Sequence, residues 1–223
     1  MSQISLKELL ENTASECFSL VSHVGGYKFY QNTKLGTIDL PLVTSIGSGA
    51  FRDCSSLTSI NLPKATSIGF MAFYDCKALT SISLPLVTSI DDSAFSCCFA
   101  LTSVDLPLVT SIGDSGFYDC ISLTSISLPA VTSIGYGAFY DCTSLTSVDL
   151  PLVTSIGSCA FSDCTALTSV DLPLVTSIGE RAFEDCKALT EIHFAAANQA
   201  TIEADSNYSN KWKANNATIY FDL

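Results

Sequence analysis

The chain is short of positive charge, and its central part has none. Ten Lys and Arg stand against 22 Asp and Glu, which leaves a formal net charge of -12. No Lys or Arg occurs between Lys77 and Arg181, although ten acidic side chains fall in that span. A surface of this charge repels nucleic-acid phosphates and anionic lipid headgroups. The composition therefore argues against nucleic acid and against a membrane surface as partners.

Long apolar runs are missing as well. No stretch of 18 consecutive apolar residues exists, so we expect no direct membrane insertion. The first residues, MSQISLKELLEN, carry Lys7, Glu8 and Glu11 where a signal peptide has an unbroken apolar segment. We therefore expect no export signal in this sequence. Apolar residues nevertheless make up 48% of the chain, which is enough to build a buried core.

What the sequence does have is one string repeated at a fixed period. Prolines stand at 41, 63, 85, 107, 129, 151 and 173, and cysteines at 54, 76, 98, 120, 142, 164 and 186, both in steps of 22. A period between 20 and 50 residues indicates a solenoid. With Leu35 as position 1, positions 1, 4, 6, 9, 12, 17 and 20 are apolar, and full copies begin at 35, 57, 79, 101, 123, 145 and 167.

Each copy predicts a small set of local structures. The alternation in Ser59-Ile60-Asn61 predicts a short strand, which Pro63 ends, and Val87 to Ile90 is a second extended piece. Position 13 is Gly in six copies and Asp91 in the seventh, which predicts a positive φ there. Phe at position 17 and Cys at position 20 have the spacing of an inward-facing helical turn. We therefore predict an α/β solenoid with a parallel ladder of short strands.

The pattern L-T-S-[IV]-x-L-P-x-V-T-S-I-G-x-x-A-F-x-D-C, as in Leu101 to Cys120, resembles the BspA-type leucine-rich repeat, and it extends roughly from Leu35 to Phe194. The resemblance implies a horseshoe-like arc whose short strands line the concave face. It also implies a microbial surface or secreted protein that mediates adhesion to host or matrix partners. Since no signal peptide is present, cytoplasmic or assembly-associated localisation stays open beside the cell surface. Position 9 is Val, or Ala65, so the asparagine ladder of ordinary leucine-rich repeats is absent.

The two ends depart from the repeat and divide the chain into three parts. Residues 1–34 should hold a capping helix, from residue 5 to about 17, followed by a degenerate half-repeat that places His23 at a solvent-facing position. Residues 35–188 are seven repeats. Residues 189–223 are a partial eighth repeat and a C-terminal cap, in which residues 217–223 alternate like an edge strand. We expect Tyr208 and Trp212 to pack as part of this cap.

Two columns of reactive side chains have structural interpretations. The cysteines of position 20 are best explained as reduced, buried thiols, because stacked side chains point in parallel and put neighbouring Cβ atoms too far apart for disulfides. Cys97 and Cys159 lie off this column and are candidates for exposed free thiols. The aspartates of position 19 lack the spacing of calcium loops, and bonds to the backbone of the following turn explain them better.

Catalysis and metal chemistry find no support. The two histidines, His23 and His193, lie about seven coils apart, so one chain forms no Ser-His or Cys-His pair. A repeated column gives carboxylates like environments, whereas an acid–base pair needs unlike ones. No C-x-x-C occurs, and a single column of cysteines offers no tetrahedral cage for a metal. We therefore expect a protein that is not an enzyme and that has no cofactor.

The outward positions 3 and 5 of the predicted strand form the candidate binding surface. Asp149 and Asp171 should lie about 5 Å apart and repel each other by about 0.8 kcal/mol in water, or about 3 kcal/mol if partly shielded. A Lys, an Arg or a sugar hydroxyl from a protein or glycan partner would relieve this repulsion. The candidate residues are Asp105, Ser127, Ser147, Asp149, Ser169 and Asp171, with Tyr118 and Tyr140 as a secondary aromatic pair. A solvated face without a ligand, and a structural spacer within a larger cell-surface or virion assembly, stay open as alternatives.

Overall fold

A computed structural model describes residues 21–204 and 217–223 of the chain. It is a parallel β-solenoid whose coils are 22 residues long. The capping helix predicted for residues 5 to about 17, and the packing of Tyr208 and Trp212, fall outside the described residues.

Each coil contributes a strand that begins at position 3, with serine or threonine at the start, or Glu191 in the partial eighth copy, followed by an inward Ile or Val. These strands pair in parallel two by two, in exact 22-residue register, as in Thr37↔Ser59, Ser81↔Ser103, Ser125↔Ser147 and Ser169↔Glu191. They are β2 (Thr37–Asp39), β4 (Ser59–Asn61), β6 (Ser81–Ser83), β8 (Ser103–Asp105), β10 (Ser125–Ser127), β12 (Ser147–Asp149), β14 (Ser169–Leu172) and β16 (Glu191–Phe194).

A second set of strands at positions 11 and 12 forms one continuous eight-stranded parallel sheet. Its β-branched isoleucines point inward and its serines face outward, which is the alternation of a half-buried strand. The strands are β1 (His23–Val24), β3 (Ser45–Ile46), β5 (Ser67–Ile68), β7 (Ser89–Ile90), β9 (Ser111–Ile112), β11 (Ser133–Ile134), β13 (Ser155–Ile156) and β15 (Ser177–Ile178). Both extended pieces predicted for each copy are therefore present.

The segment between the second strand and the column cysteine is a series of β-turns, so the predicted helical turn is wrong. Within it, the N–H groups of Arg52 and Cys54 bond the carbonyls three residues back, at 3.1 Å each. The N–H groups at positions 15, 17 and 19 instead donate to the next coil, as from Phe51 to Ala72 at 2.8 Å. Residues at positions 15 and 19 have φ between 53° and 61°, and this left-handed backbone interrupts any α-helix.

The left-handed backbone that recurs at position 19 of each coil also explains the aspartates found there. Asp53, Asp75, Asp119, Asp141, Asp163 and Asp185 all have positive φ. Aspartate is one of the few residues other than glycine that enters the left-handed region at low cost. The need for this backbone conformation accounts for the column without a bound ion.

The glycines of position 13 do not have the predicted positive φ, so glycine must be required there for another reason. A Cβ added at Gly157 would lie 2.6 Å from the carbonyl carbon of Gly135, and one added at Gly69 would lie 2.9 Å from the amide nitrogen of Ser48. Backbone atoms cannot give way as flexible side chains can. Glycine is therefore required at position 13 because two coils approach closely there.

Asp91 tests this explanation, because it is the one residue with a Cβ at position 13 of the seven full copies. The pairing of β5 with β7 comprises only Ile68↔Ile90, whereas β7 with β9 has two residue pairs. We predict that Asp91→Gly lets the coils close and regain a ladder hydrogen bond, which would raise the free energy of unfolding by about 0.5–1.5 kcal/mol. Denaturant titration measures the gain. Asp91→Ala is the control that removes the charge but keeps the Cβ, and an equal gain in Asp91→Ala would contradict the explanation.

The core is built from one phenylalanine per coil, stacked ring on ring. Successive rings from Phe29 to Phe183 have centroids 4.9 to 5.4 Å apart and are nearly parallel. Leucines of positions 1 and 6 and isoleucines of position 12 surround them, all buried except Leu35, which is partly buried. Because each ring is covered by the coil before and the coil after, stability belongs to the array and not to the single coil.

Two ladders of threonine hydroxyls run along the solenoid, at positions 2 and 10 of the coils. At position 2 the hydroxyl of Thr102 donates to the carbonyl oxygen of Thr80 at 3.0 Å, and at position 10 that of Thr132 donates to Thr110 at 3.2 Å. The same bond recurs in neighbouring coils. These hydroxyls give the exposed backbone carbonyls a second partner and tie adjacent coils together.

The column cysteines are buried, free thiols, as predicted. Each Sγ donates to the carbonyl oxygen of the phenylalanine in the preceding coil, as from Cys142 to Phe117 at 3.2 Å. That carbonyl also accepts the N–H of Cys120, so the thiol fills the second lone pair of a buried oxygen. Burial raises the pKa of Cys186 to about 12. Cysteine therefore serves here as a small apolar side chain with a weak donor.

We predict that thiol reagents distinguish the column from the off-column cysteines. Cys97 and Cys159 are free and only half buried, although partial burial raises the pKa of each thiol. In a Cys17→Ser background, the folded protein should react slowly at Cys97 and Cys159 and not at the column, because the thiolate is the reacting form. All nine described cysteines should react after denaturation. Rapid reaction of column thiols in the folded protein, or fewer than about six thiols in the denatured protein, would contradict this account.

The solenoid ends in a strand that joins from the C-terminal segment. After β16 a 3-10 turn (Ala196–Asn198) leads into a short helix, α1 (Gln199–Ala204), and β17 (Thr218–Phe221) then pairs in parallel with β16. The strand predicted in residues 217–223 is thus confirmed. At the other end His23 pairs with Ser45 as the degenerate half-repeat predicts, and its side chain is exposed.

Candidate ligand-binding face

The outward side chains at positions 3 and 5 form a polar surface, which we call the strand face. All six predicted site residues lie on it and are exposed: Asp105, Ser127, Ser147, Asp149, Ser169 and Asp171. The strand alternation places them outward because the residue between them, an Ile or a Val, turns into the core. The fold therefore brings the predicted residues together on one surface.

Down the column of position 5, carboxylates alternate with hydrogen-bond donors for most of the length. Asn61 donates to Asp39 at 2.8 Å, and Ser83 donates to Asp105 at 2.8 Å. Ser127 likewise donates to Asp149 at 3.0 Å. In each of these pairs the donor stabilises the charge of the carboxylate in the adjacent coil.

Asp171 breaks this alternation, because the residue before it in the column is the carboxylate of Asp149. The two side chains line a groove of about 380 Å³ on the strand face. Its other lining residues are Ser147, Val148, Leu150, Pro151, Ser169, Pro173 and Leu223. Two neighbouring negative charges therefore meet hydroxyls and apolar walls in one concavity, which suits a ligand that carries both a donor and some apolar surface.

The column ends in a cation-forming side chain, His193, which pairs in register with Asp171. Its ring stacks on Tyr220 at a centroid distance of 4.7 Å, and its Nδ1 lies 2.9 Å from Oδ1 of Asp222. The hydrogen bond with Asp222 raises the pKa of His193 above its usual range. The protonated imidazolium is thus favoured on one side of Asp171, while Asp149 lies on the other side.

The secondary pair, Tyr118 and Tyr140, lies on the turn segment instead and does not line the groove. The two rings are stacked with centroids 5.2 Å apart, and Tyr118 is 36% exposed. A hydrogen bond with Asp163 raises the pKa of Tyr140 to about 12. The pair is brought together as expected from its place in consecutive coils, but it belongs to a surface separate from the strand face.

The leucines of position 8 form a surface feature that was not among the predicted site residues. The side chains of Leu42, Leu86, Leu108, Leu152 and Leu174 are 39 to 48% exposed, and each follows a proline. We call this row the leucine ridge. The signal was available in the tolerance of position 8 for Lys64 and Ala130, which a buried position would not accept so readily.

The part of the chain that the structure describes shows neither a metal site nor a membrane-spanning helix. Within residues 21–204 and 217–223, no group of three or more His, Cys, Asp or Glu side chains is placed to hold a metal ion. No helix in the same ranges combines the length and apolar character needed to cross a membrane.

The 22-residue coils, the parallel ladders and the inward leucines define the class of protein as a leucine-rich-repeat solenoid. The profile of the BspA type leucine rich repeat region matches residues 22–130 and 110–219, in six copies. The chain therefore belongs to the BspA-type leucine-rich-repeat family. No curated protein sequence matches it significantly.

Several solved structures are similar to this chain at low identity. A leucine rich cell surface protein from Faecalibacterium prausnitzii is 22% identical, with a TM-score of 0.44, over 91% of this chain and 80% of that one. A leucine-rich repeat protein from Eubacterium ventriosum is 20% identical, with a TM-score of 0.49, over 77% of this chain and 69% of that one. The leucine rich repeat protein of T. pallidum is 22% identical, with a TM-score of 0.34, over 84% of this chain and 73% of that one.

Proposed function

We propose that this protein is a non-catalytic binding module whose strand face recognises a protein or glycan partner around Asp149 and Asp171. The observation that carries the proposal is the adjacency of these two carboxylates in a groove that also contains the hydroxyls of Ser147 and Ser169. Asp39 and Asp105 each accept a hydrogen bond from the adjacent coil and have no carboxylate beside them in the column, whereas Asp149 has the donor Ser127 on one side and Asp171 on the other. A lysine, an arginine or a pair of sugar hydroxyls would supply the donor between Asp149 and Asp171.

Charge supports the same partner class. Repulsion between two carboxylates about 5 Å apart is about 0.8 kcal/mol in water and about 3 kcal/mol where solvent is partly excluded. A ligand that covers the groove excludes solvent and would increase this repulsion unless it brings positive or donor groups. The groove therefore selects basic or hydroxyl-rich ligands over acidic ones. Membership in the BspA-type family favours an adhesive role at a cell surface, and we include that role in the proposal.

The test compares the proteins and glycans captured by two variants of equal charge. Asp149→Ser with Asp171→Ser removes the adjacent carboxylates, and Asp39→Ser with Glu184→Ser changes the net charge equally at exposed or half-exposed sites outside the groove. Pull-downs from host matrix and cell-envelope extracts should lose the partner with the first variant and keep it with the second.

Two results would contradict the proposal. Equal capture by wild type and by the Asp149→Ser, Asp171→Ser variant would show that the groove is not the binding site. In that case, loss of capture in a Tyr118→Ser, Tyr140→Ser variant would place the binding site at the aromatic pair. No captured partner under any condition would favour a structural spacer within a larger assembly.

A further inference from the structure

We infer that the partner of the acidic groove is a peptide segment in which basic and apolar side chains lie close together, and that its apolar side chains bind the leucine ridge. This inference rests on the proposed function and extends it from the groove to the surface beside it. It commits to one class of ligand, a cationic and apolar segment of a partner protein, in place of a glycan.

The first argument is the exposure of the ridge. In each coil the apolar residues of positions 6 and 9 are well buried, as Leu150 and Val153 are at 2% and 0% exposure, whereas Leu152 at position 8 is 43% exposed. Single exposed leucines are common on proteins, but leucines at one position of adjacent coils, such as Leu152 and Leu174, form an apolar strip, which Lys64 and Ala130 interrupt elsewhere along the solenoid. These side chains contribute less to the stability of their own coil than the fully buried leucines do, since nearly half of their surface stays in water.

The second argument is the closeness of ridge and groove. Asp149 and Leu152 are three residues apart, which places their Cα atoms within about 10 Å of each other. Pro151 and Pro173, which directly precede the ridge leucines of these coils, already line the groove. A single ligand segment can therefore contact the carboxylates and the leucines at once. The neighbouring coil has Ala130 at position 8, so Leu152 and Leu174 are the ridge members that continue the groove.

The third argument identifies the occupant by charge. A second copy of this chain would bring a net charge of -12 and the same acidic column to the surface, and the two copies would repel each other. An anionic lipid surface is disfavoured for the same reason. A segment that carries Lys or Arg beside Leu or an aromatic residue satisfies the carboxylates and covers the leucines together.

The test uses two synthetic peptides of about eight residues, which span roughly 26 Å when extended. One alternates Lys with Leu, and the other alternates Lys with Ser at the same charge. With the full chain, we expect the Lys-Leu peptide to bind about tenfold more tightly, as measured by fluorescence anisotropy. Leu152→Ser with Leu174→Ser should abolish this preference and leave the affinity for the Lys-Ser peptide unchanged. Circular dichroism checks that the variants fold, as their exposed positions imply.

Leu42→Ser is the matched control, because it removes a leucine of the same position at the far end of the ridge, and it should keep the preference. Equal affinity of wild type for both peptides, or an equal loss of preference in Leu42→Ser, would overturn the inference. Asp149→Ser with Asp171→Ser should lower the affinity for both peptides. If the aspartate variant binds both peptides more weakly and the leucine variant binds them as wild type does, only the inference about the leucine ridge is wrong. If the aspartate variant binds both peptides as wild type does, the proposed function itself is wrong.

Discussion

Replacing Phe117 with alanine should lower the free energy of unfolding by about 3–5 kcal/mol. The ring is fully buried and lies between Phe95 and Phe139, with centroids 5.3 and 5.4 Å away. Truncation opens a cavity between two coils, and the backbone ladders on three sides limit how far the coils can collapse into it. The loss therefore includes the contacts of both neighbouring rings and the cavity that remains.

The next residue in the chain provides the control for this prediction. Tyr118 is an aromatic side chain of similar size, but it points outward and is 36% exposed. Tyr118→Ala should therefore lower the free energy of unfolding by only about 1 kcal/mol, mainly from its stacking on Tyr140. Urea titrations of both variants measure the difference. Similar losses in the two variants would contradict the inward assignment of position 17.

The second large effect is expected at position 13. Gly157→Ala would place a Cβ 2.6 Å from the backbone carbonyl of Gly135 and 2.7 Å from the amide nitrogen of Tyr136. Since both obstacles are backbone, the two coils must separate locally and weaken the hydrogen bond from Gly157 to Ile134, which is 2.8 Å long. We expect a loss of about 1–3 kcal/mol, as for other overpacked sites.

Gly36→Ala is the matched substitution, because a Cβ there meets no atom within 4 Å and the backbone φ lies outside the left-handed region. It should be neutral, or raise stability slightly by restricting the unfolded chain, by about 0.4–1 kcal/mol. Thermal melts of the two glycine variants beside wild type decide the point. A stable Gly157→Ala protein would show that position 13 does not set the distance between coils.

Most of the core could be predicted from the sequence, because burial leaves a periodic trace. The inward positions, the two strands per coil and the buried cysteine column all follow from the apolar pattern at a period of 22. Register came with the period, since equivalent residues of adjacent coils must pair. The outward serines and aspartates of the strand face follow from the same alternation.

The backbone conformation of the turn could not be predicted in the same way. Glycine satisfies both a positive φ and a close approach of two backbones, and the sequence alone does not distinguish these demands at position 13. The left-handed residues lie instead at positions 15 and 19, where residues as different as Met71 and Arg181 occur. Their conformation is imposed by hydrogen bonds to the next coil, which override the preference of the single residue.

The exposure of the leucine ridge was not predicted for a related reason. Positions 8 and 9 are both apolar in most copies, but the turn after Pro151 directs Val153 inward and Leu152 outward. Composition does not reveal which of two adjacent apolar side chains faces solvent. The two proposals therefore differ in origin: the acidic groove follows from the strand pattern, whereas the sequence indicates the ridge only through Lys64 and Ala130 at position 8 and the folded coil shows it directly.

Carbodiimide cross-linking to a lysine-containing peptide tests the central claim most directly, since it joins a carboxylate to an amine that it contacts. Mass spectrometry of the products then identifies the carboxylates involved. We predict that Asp149 and Asp171, which are neighbours in the column, carry most of the cross-links, and that a carboxylate whose neighbour in the column is a donor and not a second carboxylate, such as Asp39 beside Asn61, carries few. Cross-links spread evenly over the exposed carboxylates, or concentrated at Asp119 and Asp141 beside the tyrosine pair, would contradict the account.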